Sequence, residues 1–209
     1  MIEKILLAVS GLGHAEEMLK NLKEIPSIGQ AKVTVLHVVP AQTTSAGMAN
    51  KLEEGEKIIA NAVEYLGLDP NRTATMLRQG EPKDVVCQVA DETDADLIIM
   101  GSRGLKRLQA ILSNSVSQYV FQLSSRPMLL VKDDIYVKKI NRIMVAYDGS
   151  DAAKQCLQLA LFLLRDIKGS QLVLAHVNKD LSGKPGEVTQ AVAEKDPILA
   201  GAIAEANKQ

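Results

Sequence analysis

The sequence has no tryptophan, and only two phenylalanines and four tyrosines among its 209 residues. A core built on rings is therefore ruled out, and Val, Ile, Leu, Met and Ala must fill it. Aromatic platforms on which bases could stack are equally scarce. No basic groove with interleaved aromatics can be drawn, which argues against nucleic-acid binding. Lys and Arg number 24 against 25 Asp and Glu, a net charge of −1, so no field of one sign draws the chain to polyanions or to an anionic membrane. There are two cysteines, Cys87 and Cys156, far apart and each inside a helical pattern. With no CxxC and no His/Cys cluster at zinc spacing, the expectation is two buried, reduced thiols. Long hydrophobic runs are missing too. The N-terminal run ends at Ser10-Gly11, and Leu157 to Leu164 is interrupted by Gln158. Neither suits a signal-peptide core or a bilayer span, which makes the cytoplasm the expected location and a membrane partner unexpected.

What is present is an alternation of two patterns. Ile5-Leu-Leu-Ala-Val9 is apolar throughout, as a strand buried on both faces of a parallel sheet must be. Val33–Val39, Thr73–Leu77, Leu97–Met100 and Pro127–Val131 read as four further strands. Between them lie stretches with helical spacing: Ala15 to Ile25, stopped by Pro26; Met48 to Leu66, ended by Gly67; the stretch after Pro82 with Val85, Val86, Val89 and Ala90 inward; and Ser115 to Leu123. Residues 41–46 read as loop. The order β-α-β-α-β-α-β-α-β predicts an α/β domain over residues 1–132, an open, doubly wound, five-stranded parallel sheet. Residues 133–139, charged at both ends, read as a linker.

Residues 140–209 then repeat the start. Ile143-Met-Val-Ala-Tyr-Asp-Gly-Ser150 lies over the segment from Ile5 to Leu12, and Leu172-Val-Leu-Ala-His-Val177 over Val33-Thr-Val-Leu-His-Val38. The offset is about 138 to 139 residues, and His176 falls on His37; a tandem duplication explains both. The second copy is the N-terminal half of the same domain, with helical character from Glu187 to Asn207 broken at Pro197. By analogy with the first copy, completing it takes about 60 further residues. Its first strand is expected to present an unpaired edge where the fourth strand belongs.

In an open parallel sheet, ligands bind beyond the carboxyl ends of the strands, where strand order reverses. That directs attention to Ser10-Gly11 and to the loop Met100-Gly-Ser-Arg-Gly-Leu-Lys-Arg-Leu-Gln-Ala-Ile-Leu-Ser-Asn-Ser-Val116. Gly101 and Gly104 let main-chain N–H groups approach a ligand closely. Ser113, Asn114 and Ser115 open a helix whose free N–H groups favour an anion, and Arg103, Lys106 and Arg107 add positive charge. Two readings stand on spacing alone: a phosphate cradle, or an ordinary turn with a Ser/Asn cap and solvated basic side chains.

This loop resembles that of the universal stress protein family, whose nucleotide-binding members carry Gly-x2-Gly-x9-Gly-Ser/Thr after the fourth strand. Gly101 and Gly104 match the first two glycines, Ser115 matches the hydroxyl residue, and Asn114 stands at the third glycine. The segments Ala95–Gly104, Ser115–Val120, Pro127–Val131, Leu36-His-Val38 and Ala146–Ser150 agree as well. The resemblance implies an adenine nucleotide α-hydrolase-like fold and an adenine-nucleotide pocket holding ATP, with or without magnesium. In that pocket Met100, Gly101, Gly104, Ser115 and Val116 line the phosphate and ribose side, with Arg103 and Asn114 in the loop, and Ala8, Val9 and Val38 line the adenine. The family's Asp after the first strand, which holds the ribose hydroxyls, is Ser10 in the first copy and Asp148 in the second.

The function expected from this is a stress-response or regulatory module in which ATP is a bound ligand or a slowly turned-over switch. The alternative is a non-nucleotide scaffold of the same fold that self-associates through its fifth strand, 127–131, as family members do. An enzyme of the related hydrolase folds needs a catalytic group near Arg103 or Ser115, and none can be named. His37 and His176, near strand ends, read as locally hydrogen-bonded rather than as bases, and three scattered histidines define no Ser/His/Asp set. Asp91, Glu92 and Asp94 read as a solvated acidic turn rather than a metal loop, and Asp96 as an acceptor in the turn before the fourth strand.

Overall fold

The computed structural model describes residues 2–11, 14–26, 28–102, 115–132, 140–177 and 196–207. The chain divides into two compact units, Met1–Lys138 and Lys139–Gln209. The linker expected at residues 133–139 lies outside the described residues.

In the first unit the elements are β1 (Lys4–Ala8), α1 (His14–Lys23), β2 (Lys32–Val39), α2 (Ser45–Leu66), β3 (Thr73–Gln79), α3 (Pro82–Glu92), β4 (Leu97–Ser102), α4 (Val116–Leu123) and β5 (Met128–Lys132). The five strands are all parallel, in the order β3-β2-β1-β4-β5. Strand order therefore reverses between β1 and β4, which pair from Ile5↔Leu97 to Ala8↔Met100. The continuous apolar runs have the expected consequence: Leu6, Leu7, Ile98 and Ile99 are wholly buried. One face carries Leu6, Leu36, Ile98 and Met100 under Val86, Val89 and Ala90 of α3 and Val120 of α4. Helix α1 packs on β1, β4 and β5, and α2 on β2 and β3. Helix α2 approaches so closely at Gly55 that a Cβ there would stand 2.7 Å from Leu77 Cδ1 and 2.9 Å from His37 Cδ2.

Most element boundaries shift by one or two residues from the reading of the sequence, and β4 runs on to Ser102, taking in Gly101, expected in the loop; two further differences have a visible cause. Helix α2 starts at Ser45, inside the segment read as loop, because the Thr44 hydroxyl caps it by accepting from Gly47 N at 3.1 Å. Strand β3 continues to Gln79 because its ladder with β2 runs on to Val39↔Gln79. The acidic turn is also more than solvated. Arg126 donates to Asp91 Oδ1 and Asp94 Oδ1, each at 3.3 Å, and to Ala95 O at 2.6 Å. Lys4 pairs with Asp94 at 3.4 Å, and Arg78 with Glu92 at 3.1 Å. The Lys4 ammonium first, and Arg126 after it, hold the Asp94 carboxyl below its usual pKa; exposed pairs of this kind add little stability. Asp96 is the acceptor expected, but its reach is long-range: Oδ2 takes Glu3 N and Lys4 N at 2.8 and 2.9 Å, tying the start of β1 to that of β4.

The second unit holds β6 (Arg142–Ala146), α5 (Asp151–Leu164), β7 (Gln171–Ala175) and α6 (Pro197–Ala206). Its two parallel strands pair from Arg142↔Gln171 to Ala146↔Ala175, the register in which β1 meets β2 from Lys4↔Lys32 to Ala8↔Leu36. The two strand pairs thus match residue for residue. Gly11 and Gly149, equivalent in the two copies, both have left-handed backbones, at φ +82° and +83°, a conformation that disfavours any Cβ. Pro197 opens a helix; residues 187–195, expected to be helical before it, lie outside the described residues. The proline is the first helical residue, where its missing N–H costs nothing, and Asp196 caps the turn by accepting from Ile198 N and Leu199 N. Helices α5 and α6 pack on one face of β6–β7 through Val145, Tyr147, Leu157, Ala160 and Ala202.

The cysteines are free, but burial differs from expectation. Cys87 is half-buried on α3, and burial pushes its thiol pKa up, with Asp91 and Asp84 adding to the effect. Cys156 is exposed, because the buried stripe of α5 runs through Ala153, Leu157, Ala160 and Leu164 and passes it by.

Candidate functional site

The crevice at the strand-order reversal is bounded by the carboxyl ends of β1 and β4. Ala8, Val38, Met100 and Val116, far apart in sequence, belong to one apolar cluster there: Met100 is buried, and the other three are partly buried against it. Val9 belongs to the opposite face by strand alternation and is 5% exposed. Both of its backbone groups are used. Its N–H donates to Leu36 O at 2.9 Å, and its carbonyl receives His37 Nδ1 at 2.8 Å. A carbonyl only accepts, so Nδ1 carries the hydrogen. Ser10 follows, exposed to solvent, and Gly11 lies over Ile58 of α2.

Across the crevice, Gly101 pairs with Val131 of β5. Among the described residues, a Cβ built at Gly101 would meet no atom within 4 Å, so packing against the described residues does not require glycine here. Arg103, Gly104 and Asn114 lie outside the described residues, as do Lys106 and Arg107. Ser115 is the N-cap of α4: its Oγ accepts from Gln118 N at 3.1 Å and lies 3.1 Å from Ser117 Oγ. A helix N-terminus of this kind suits an anion in general. The crevice thus combines an apolar wall, a strand-end glycine and a helix N-terminus.

The second unit repeats the β1 side of this arrangement. His176 Nδ1 donates to Tyr147 O at 2.8 Å, as His37 does to Val9 O, which answers the strand-end histidines in the way the sequence suggested. A further neighbour was not legible in the sequence: Nε2 stands 4.0 Å from Asp196 Oδ2, both side chains being largely buried. Asp148 Oδ1 accepts from Ser150 N at 2.9 Å, and hydrogen bonds from Ser150 hold its carboxyl below the usual range. One carboxylate oxygen is spent on the turn.

A separate groove of about 630 Å³ runs between α2 and β3, lined by Ile59, Ala60, Val63, Thr75 and Leu77 with Glu56 and Glu64 at its rim. Two carboxylates repel an anion, so this groove does not compete with the crevice for phosphate. Among the described residues no group of three His, Cys, Asp or Glu could hold a metal ion, and no helix is long and apolar enough to cross a membrane.

The sequence pattern of the Universal stress protein family matches residues 1–132 and again 139–209. A universal stress protein of Thermus aquaticus is 32% identical over 139 residues, covering 63% of this chain and 100% of its own length. A universal stress protein of Bacillus subtilis is 29% identical over 148 residues, with the same coverage. The solved structure of a universal stress protein from Archaeoglobus fulgidus superposes with a TM-score of 0.69 at 25% identity, covering 96% of this chain and 73% of that one.

Proposed function

This chain belongs to the universal stress protein family, and we propose that its first unit binds an adenine nucleotide, ATP with or without magnesium, in the crevice between β1 and β4. The observation that carries the reading is Gly101: a strand-end glycine with no described atom within 4 Å of its Cβ position, at the mouth of a crevice that the N-terminus of α4 also borders. A phosphate there would lie against main-chain N–H groups. The apolar cluster of Ala8, Val38, Met100 and Val116 supplies a wall for the base. Arg103, Gly104, Asn114 and Ser115 complete the phosphate side of this reading, and Ser10 meets the ribose. The protein would then be a cytoplasmic stress-response module in which ATP is a ligand or a slowly turned-over switch.

Titration of the chain with ATP, with and without magnesium, tests this directly. Saturable binding in the micromolar range is expected, and none at millimolar ATP would overturn the reading. Ser10→Asp sharpens the test. A carboxylate acceptor for the ribose hydroxyls is worth about 1–3 kcal/mol, so the variant should bind ATP about five- to a hundredfold more tightly. An unchanged affinity would mean that Ser10 does not face the ribose.

One observation favours the second reading, a scaffold that self-associates through β5. Phe121 and Leu123 of α4 are 68% and 58% exposed, close in sequence to an edge strand with a Met-Leu-Leu-Val run. Sedimentation at several concentrations, with and without ATP, separates the two: association indifferent to ATP, in a chain that binds none, supports the scaffold.

A further inference from the structure

The flank of α2 that overhangs β3 brings together an apolar surface, two carboxylates and a sheet edge. The buried stripe of α2 runs through Gly55, Ile59, Ala62 and Leu66, and Gly55 lets the helix down onto Leu77. At about 100° per residue, Glu56, Ala60 and Val63 stand on the flank beside that stripe. The groove of about 630 Å³ lies under this flank, with Ile59, Ala60 and Val63 above it, Thr75 and Leu77 below, and Glu56 and Glu64 at its rim. Among the described residues none of β2 lines it, so it opens on the outer side of β3. That strand begins the order β3-β2-β1-β4-β5, and an edge strand presents N–H and C=O groups on the side away from its neighbour. The two rim carboxylates differ from the others of α2. Glu53 is paired with Lys57 at 2.7 Å and Glu54 with Lys51 at 2.6 Å. Arg78, the one cation of β3, turns to Glu92 on the other face of the sheet. Among the described residues neither Glu56 nor Glu64 has an ion-pair partner.

We propose that this edge binds an extended peptide segment of another protein, added to the sheet beside β3, with an apolar residue set between two basic ones. The edge offers the main-chain ladder that an added strand uses, which a small apolar molecule would leave unpaired. Alternate side chains of the added strand point under α2. The central one meets Ile59, Ala60 and Val63, and those two positions to either side reach the carboxylates. Their spacing follows from the two rises. Glu56 and Glu64 are eight residues apart on a helix that returns along β2 and β3 as their crossover, about 12 Å; four residues of a strand cover about 13 Å. The segment therefore reads basic-x-apolar-x-basic, with Lys or Arg four positions apart. Burial of the central side chain and charge-assisted hydrogen bonds at its two sides hold it, and the negative rim rejects an acidic segment.

The test uses the full chain and the capped peptide Thr-Lys-Thr-Val-Thr-Lys-Thr, followed by calorimetry and hydrogen exchange. Saturable one-to-one binding is expected, with slower exchange at Thr73–Gln79 and unchanged exchange at Met128–Lys132 on the opposite edge of the sheet. The double variant Glu56→Gln/Glu64→Gln, altered at two exposed positions, should stay folded and bind the peptide about tenfold more weakly. The same peptide with Glu in place of both Lys should not bind, and ATP should leave the affinity of the Lys peptide unchanged. Four results would each overturn the proposal. They are no saturation at millimolar peptide, binding indifferent to the double variant, binding without slower exchange in β3, and protection of β3 that grows with chain concentration in the absence of peptide, which would make the occupant a second copy.

Discussion

Gly101→Val should keep the stability of the first unit and weaken ATP binding at least about tenfold. The two halves of this expectation have separate causes. Gly101 lies in β4 and pairs with Val131; it is not among the glycines with a positive φ, and a Cβ there meets no described atom within 4 Å. Valine adopts the backbone of a strand more readily than glycine, so unfolding free energy should stay within about 0.5 kcal/mol of the parent or rise. The added isopropyl group crowds the carboxyl end of β4, the strand end at which the phosphates of the proposed ligand lie, and should weaken binding by keeping them from the main chain there. Denaturant unfolding and ATP titration on the same preparation read the two effects. An unfolded variant would show that the glycine is structural. A folded variant that binds ATP like the parent would remove the crevice from the binding reading altogether.

That a glycine can be so isolated reflects what the sequence did and did not make legible. The parallel sheet was legible because strands buried on both faces are continuous apolar runs, and Ile5–Val9 or Leu97–Met100 can be little else when helical spacing lies between them. The strand pair of the second unit was legible because the duplication repeats even the histidine at 37 and 176. Local rules located the caps less well. The polar residues before Met48 conceal a helix start that Thr44 fixes by one hydrogen bond, and Pro197 looks like a breaker until Asp196 is seen to cap the turn it opens. Long-range pairings were out of reach: nothing in the sequence joins Arg126 to Asp91 and Asp94, or Asp96 to the start of β1. At the candidate site the resemblance named Ala8, Val9 and Val38 for the adenine side and Met100 and Val116 for the phosphate and ribose side; the structure brings Ala8, Val38, Met100 and Val116 into one apolar cluster and turns Val9 to the other face. That no described atom crowds Gly101 emerged only from the arrangement of its neighbours.

Leu6→Ala and Met144→Ala, the same change at equivalent places in the two copies, should differ in cost by several kilocalories. Leu6 is wholly buried among Leu36, Val86, Val89 and Val120. Removing its three outer carbons leaves a void beneath α3 and α4, a change that costs about 2–5 kcal/mol and lowers the unfolding midpoint of the first unit by roughly 10 °C. Met144 stands 68% exposed, so its truncation removes little area from contact and should fall within about 0.5 kcal/mol. Hydrogen exchange resolves the two units and reads each effect where it arises. The comparison bears directly on the face of β6–β7 that carries Met144 and Val173, 68% and 40% exposed, since the two strand pairs share one register. Equal costs would mean that Met144 is covered in solution. Unequal costs would mean that the face over Met144 stands open, and that the first unit's stability comes in good part from the layer that α3 and α4 lay over Leu6.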